Sequence, residues 1–110
     1  MPQFILLLRG DRAAVNGFSP EELQKLMHKY QDWRRTKATG GQKLMDGEGR
    51  VLQKQNGKLS VIDGPFAEAK EVLGGFFVIE AANYDEAVEA AKTCPHMEFG
   101  TIEVRQIEKT

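Results

Sequence analysis

One cysteine, Cys94, stands in a chain of 110 residues, and that scarcity excludes an internal disulfide framework. No Cys/His spacing of the zinc-binding kind accompanies it, so no metal site is expected. Charge of a single sign is also missing: acids and bases are mixed and nearly cancel, leaving a formal net charge of −1. A nucleic-acid surface needs a basic stripe, and no aromatics cluster among the basic residues here, so direct nucleic-acid binding is not expected. The one dense basic cluster, Arg34-Arg35-Thr36-Lys37, falls late in an expected helix, where cations complement the helix dipole. Long hydrophobic runs are absent too. The run Phe4 to Leu8 has five residues against the ~20 that span a bilayer as a helix, and nothing near it has the form of a signal peptide. The expectation is a cytoplasmic protein with no membrane segment. No internal repeat, low-complexity segment, nucleotide-binding fingerprint or serine triad is present, so no cofactor is expected.

What is there belongs to a soluble globular chain, with 41% apolar and 28% charged residues. At this length one core can form and not two, giving a single domain over residues 1–110.

Phe4 to Leu8 reads as a strand buried on both faces, followed by loop over residues 9–18. The first helix has a full set of start signals. Ser19 stands at the N-cap, Pro20 at the first helical position and Glu22 at the capping-box position, with Phe18 and Leu23 placed to staple the entry. Leu23, Leu26, Met27, Tyr30 and Trp33 recur at helical spacing as one apolar stripe, and Gly40-Gly41 reads as the helix stop. A short strand over 42–45 and an Asp46-Gly47-Glu48-Gly49 turn follow. Asn56-Gly57 between Val51–Gln55 and Lys58–Ile62 predicts a hairpin, with Leu52 opposite Val61 and Val51 opposite Ile62. A connector over 66–73 leads to Gly74-Gly75 and a strand over 76–81. Asn83 caps a second helix with Ala87, Val88 and Ala91 as its buried stripe, and Cys94-Pro95 ends it. The last strand spans 101–107.

Without the hairpin excursion the order is two strand–helix–strand halves. That is the split βαβ, ferredoxin-like pattern of an α+β fold, an antiparallel sheet with two helices on one face. Apolar residues on both faces of strand 76–81 require the second sheet face to be covered. A second copy does this most economically, so a homodimer closing into an α+β barrel-like assembly is expected.

Candidate functional residues fall in four places. Asp63-Gly64-Pro65-Phe66 has turn chemistry; it either just ends the hairpin, or sets the Asp63 and Glu68 carboxylates beside Phe66 at a cleft mouth. His28 lies about 100° off the apolar stripe, a surface position or a proton-moving one. Cys94 and His96, two apart after the second helix, read either as a small buried hydrophobe beside a loop histidine or as a thiolate–imidazole pair. His96 is the better histidine for lining a cleft. Glu103 and Arg105 share one sheet face, as a surface ion pair or, inside a dimer, with Arg105 anchoring an anionic group. Tyr30 and Trp33 read as core or staple residues. The functional expectation is a small molecule bound or transformed by cofactor-free acid–base chemistry, with His96 or His28 moving protons, Asp63 orienting, and Phe66, Glu68 and Arg105 contacting substrate. The alternative is a non-enzymatic dimeric partner-binding module.

The stretch Asp63 to Ala81 closely resembles the signature segment of the DGPF-type branch of the YCII-related proteins. Ser19-Pro20-Glu21-Glu22, Glu86-Ala87, Cys94-Pro95-His96 and Ile102-Glu103-Val104-Arg105 extend the likeness over most of the chain. The resemblance implies a dimeric ferredoxin-like α+β fold with a ligand cleft where sheets meet. It also implies a genomic setting near sigma-factor genes, which links the binding-module alternative to transcriptional regulation. The wider superfamily pairs a histidine on the first helix with an aspartate before a proline after the second. His28 is near the first place, but Cys94 fills the second, and a thiol orients an imidazole poorly.

Overall fold

Strand β1 (Gln3–Asp11) grows from the expected apolar run and continues into what reads as loop, because antiparallel partners on both sides hold it extended. These are the coordinates of a computed structural model, which describes residues 1–11, 13–65 and 71–109. Helix α1 (Pro20–Lys37) starts as its sequence dictates. The Ser19 side chain accepts from the Glu22 N–H at 3.1 Å while the Glu22 carboxylate accepts from the Ser19 N–H at 3.2 Å. The helix ends at Lys37 with Ala38 as C-cap, not at Gly40-Gly41. Those glycines instead lie in β2 (Gly40–Lys43), two residues earlier than the expected strand. A Cβ on Gly41 would meet the Phe76 carbonyl at 2.6 Å and the Phe77 ring at 2.7 Å, so the glycine is there for close strand approach.

The hairpin forms from β3 (Arg50–Gln55) and β4 (Lys58–Asp63) in the expected register, Leu52 opposite Val61 and Val51 opposite Ile62. Asn56 and Gly57 both have positive φ, as a two-residue turn of this sequence requires. The hairpin is a separate two-stranded sheet. Strand β5 (Glu71–Glu80) begins five residues before the expected strand at 76 and contains Gly74-Gly75 rather than following them. Leu8 pairs with Gly75 and Arg9 with Leu73, leaving Gly74 as the extra residue of a β-bulge. Helix α2 (Tyr84–Lys92) is capped by Asn83, whose side chain accepts from the Glu86 N–H at 2.9 Å. A 3₁₀ turn over Pro95–Glu98 leads into β6 (Gly100–Gln106).

The main sheet has the order β2-β5-β1-β6, antiparallel throughout. Each strand–helix–strand half thus straddles a strand of the other, which is the ferredoxin-like arrangement expected from the sequence. Phe4, Leu6, Leu8, Phe77 and Ile79 point from the sheet into one core with Trp33 of α1, Ala87 and Ala91 of α2, and Cys94. Both helices therefore cover the same face. Burial on α1 is narrower than its apolar stripe: Trp33 is buried, whereas Leu23 and Met27 are exposed. Val88 of α2, expected in the core, is exposed as well. Phe18, expected to staple Leu23, packs edge-to-face on Phe99 at 5.9 Å.

The opposite sheet face carries Ile5, Leu7, Phe76 and Val78, half-buried in register on the two central strands. Arg9, Glu103 and Arg105 border this stripe along β1 and β6. No helix in the described residues is long and apolar enough to cross a membrane.

Candidate functional site

His96 is the best-placed polar side chain of the described residues, and the sequence around it explains why. Pro95 presets the turn that follows α2, and the turn brings the imidazole back over the paired glycines Gly10 and Gly100 at the β1–β6 end of the sheet. A Cβ on Gly100 would collide with the Arg9 carbonyl oxygen and stand 2.8 Å from His96 Nε2; one on Gly10 would lie 3.6 Å from His96 Cε1. The two glycines thus form a slot, and only its Gly100 side is tight.

Both ring nitrogens are engaged. Nε2 lies 2.8 Å from the Arg9 main-chain oxygen, and Nδ1 lies 2.9 Å from the Tyr30 hydroxyl oxygen. A carbonyl only accepts, so Nε2 carries the hydrogen and donates it; Nδ1 of the neutral ring then accepts from Tyr30 O–H. The Arg9 carbonyl thus sets the tautomer of the neutral ring, and the Tyr30 hydroxyl, able to donate or accept, follows it. Tyr30 reaches His96 from α1, on the helix side of the sheet. Its phenol is pushed up to about 12, first by burial, with the nearby Cys94 and Glu98 adding negative charge. At neutral pH it is therefore a protonated donor. Burial also raises the Cys94 thiol, against a smaller opposing hydrogen bond from the His96 backbone. Cys94 is in the core, so it is a buried hydrophobe and not an activated thiolate. Trp33 Nε1 donates to Thr93 Oγ1 at 2.8 Å, tying the same end of α2 to α1.

The other expected site residues lie elsewhere. His28 is exposed on α1, two residues and hence about 200° round the helix from Tyr30. Asp63 ends the hairpin with its side chain 93% exposed and ion-paired to Arg50 at 3.5 Å. The groups bonded to the His96 ring are Tyr30 and the Arg9 carbonyl, not Asp63. Arg105 lies on the open sheet face, opposite to the side that holds His96. Phe66 and Glu68 lie outside the described residues. Among the described residues, one chain does not bring His28, Asp63 or Arg105 to His96; it brings Tyr30 there, a residue whose spacing places it in the apolar stripe of α1. The signal that could have found Tyr30 is its hydroxyl, since a partly buried tyrosine seeks a polar partner.

Two concavities compete with the Tyr30–His96 pair. A cleft of about 250 Å³ at the hairpin base is lined by Leu44, Met45, Arg50, Val51, Val72 and Leu73 together with the Gly64-Pro65 turn. Small-molecule sites usually hold about 300–1,000 Å³, so this one is undersized. A groove of about 820 Å³ along Met1–Gln3, Glu80 and Gln106–Lys109 is large enough but collects no bonded polar constellation. The described residues contain no group of three or more His, Cys, Asp or Glu side chains that could hold a metal ion.

The sequence profile of the YCII-related domain matches residues 3–110. An uncharacterised protein of Rhizobium meliloti (strain 1021) is 29% identical over an alignment of 112 positions that takes in 94% of this chain and 90% of that protein. Among solved structures, the chain is similar to the 5-chloro-2-hydroxyhydroquinone dehydrochlorinase of Burkholderia phenoliruptrix AC1100, solved in complex with 2,5-dihydroxybenzoquinone. The identity is 17%, the TM-score 0.47, and the match covers 98% of this chain and 95% of that one.

Proposed function

The chain belongs to the YCII-related family, and we propose that it is a homodimer that handles a small molecule through the Tyr30–His96 pair, by acid–base chemistry that needs no cofactor. The observation that carries this reading is the imidazole held at both nitrogens, with a protonated phenol as its outer partner. A weakly acidic O–H or C–H of the ligand gives its proton to the Tyr30 oxygen while Tyr30 passes its own proton to His96 Nδ1. The electron pair of the broken bond stays on the ligand. The imidazolium that forms keeps its Nε2–H on the Arg9 carbonyl, so the cation is stabilised without a carboxylate. Returning the proton to a different ligand atom completes an isomerisation and restores both residues. Because the phenol of Tyr30 is pushed up to about 12, charge rests on the ring and not on the tyrosine.

The dimer forms through the open sheet face. Four strands about 4.8 Å apart and some seven residues long present roughly 450 Å² per copy, about half of the roughly 800 Å² per partner that an interface of ordinary size buries. Arg105 and Glu103 border that face, and Arg105 would hold an anionic group there, separate from the proton-handling pair. His28, Asp63, Phe66 and Glu68 have no step assigned.

Native mass spectrometry of the protein isolated from its host tests the reading. A dimer carrying a discrete small-molecule mass, lost in Tyr30→Phe and His96→Gln variants that stay folded, is expected. Equal retention by both variants refutes the site. The exposed apolar surface of the hairpin favours a second reading, a partner-binding module of DGPF type tied to transcription. There, both variants would keep full partner binding.

A further inference from the structure

The β3–β4 hairpin stands apart from the slab formed by the main sheet and its helices. Among the described residues its backbone pairs with no other strand. The Cα radius of gyration is 15.9 Å, against about 13 Å for a compact chain of this length. The extents of 45 × 43 × 18 Å place the extra reach within the plane of the slab rather than across it. With six residues in each strand, the hairpin is an arm about 20 Å long.

Strand alternation divides the arm into two faces. Val51, Gln53 and Ser60 are half-buried on one. The other carries Leu52, Leu59 and Val61, which are 64%, 67% and 57% exposed. An isolated two-stranded hairpin is at best marginally stable in water, and needs a packed apolar face. The uncovered residues include the cross-strand pair Leu52–Val61, with Leu59 diagonal to Leu52, and together they form a patch of about 300 Å² of the kind that marks an interaction surface.

We propose that this apolar face of the arm packs on a second copy of the chain, so that two copies clasp each other reciprocally. The inference rests on the dimer proposed above and adds an element to it. Charge chooses the occupant. Arg50, Lys54 and Lys58 against Asp63 give the arm a net charge of +2, which leaves −3 on the remainder of a chain whose total is −1. A basic arm meeting the net-acidic remainder of another copy is complementary in charge. The same copy also covers the open sheet face from which the arm projects sideways. Two arms and the surfaces they cover would remove on the order of 1,200 Å² from water, enough for a specific interface.

Hydrogen exchange of the unmodified protein at rising concentration, read beside sedimentation equilibrium, tests the clasp. Amides of residues 51–62 should gain protection in step with the dimer fraction. The double variant Leu52→Thr/Val61→Thr keeps β-forming side chains and should weaken the dimer at least about tenfold. Lys54→Glu/Lys58→Glu should weaken it too, with the loss growing as salt is lowered. A dimer whose affinity both variants leave unchanged, with arm amides exchanging fast at every concentration, overturns the clasp and leaves the sheet-face dimer standing. A chain that is monomeric at all concentrations overturns both.

Discussion

Replacing Gly100 by alanine reports on the slot that holds His96. Its added methyl group would collide with the Arg9 carbonyl, which is backbone and cannot move aside alone, and would stand 2.8 Å from His96 Nε2. Relieving that overlap either shifts β6 from β1 or expels the imidazole. Overpacking of this kind costs about 1–3 kcal/mol, and the lost His96–Arg9 hydrogen bond a further 0.5–1.5 kcal/mol or so. The sum, about 1.5–4.5 kcal/mol, is worth roughly 6–18 °C of Tm in a domain of this size. Gly10→Ala is the matched control. Its methyl would meet His96 Cε1 at 3.6 Å, an ordinary contact, so its effect should range from nil to a gain of about 1 kcal/mol. Thermal melts followed by circular dichroism at one fixed protein concentration separate the two. A Gly100→Ala protein as stable as the parent, or a Gly10→Ala protein that loses more, would refute the slot.

Three further outcomes follow from the same geometry. Tyr30 has a raised folded-state pKa, so its contribution is intact below its unfolded value near 10 and is lost as pH rises through about 12. Alkaline unfolding curves should therefore show stability falling across that window, and Tyr30→Phe should flatten the fall while costing about 0.5–1.5 kcal/mol at neutral pH. Ser19→Ala removes one half of the capping box and should cost about 1 kcal/mol in urea unfolding, with the slope unchanged. Cys94, buried with its thiol pushed up, should resist a thiol reagent in the native protein and react only in step with unfolding; rapid native labelling would contradict its place in the core.

Local chemistry made much of this fold legible. Ser19, Pro20 and Glu22 act within one helical turn, and Asn56-Gly57 sets the hairpin register, so neither needs the rest of the chain. Glycines misled where their reason is tertiary. Gly41 lets β2 approach the Phe76 carbonyl, and Gly74 makes a bulge opposite β1; in sequence both look like punctuation. The candidate site was legible only in part. His96 was singled out from its loop position, but its partner is Tyr30, hidden in a helical stripe because spacing reports a side chain's direction and not what its hydroxyl meets. The third partner, the Arg9 carbonyl, is backbone and leaves no trace in residue type. His28, Asp63 and Arg105 are chemically able residues on exposed or opposite surfaces, and only topology tells them apart from His96.

The proton path through Tyr30 and His96 depends most directly on the protonation pattern of the His96 ring, which a long-range proton–nitrogen correlation spectrum of uniformly labelled protein reads without a ligand. A hydrogen on Nε2, an unprotonated Nδ1, and a shift of the Nδ1 resonance in Tyr30→Phe are predicted. A hydrogen on Nδ1 would make Tyr30 the acceptor, leave the Arg9 carbonyl without its donor, and contradict the proposed path of the proton.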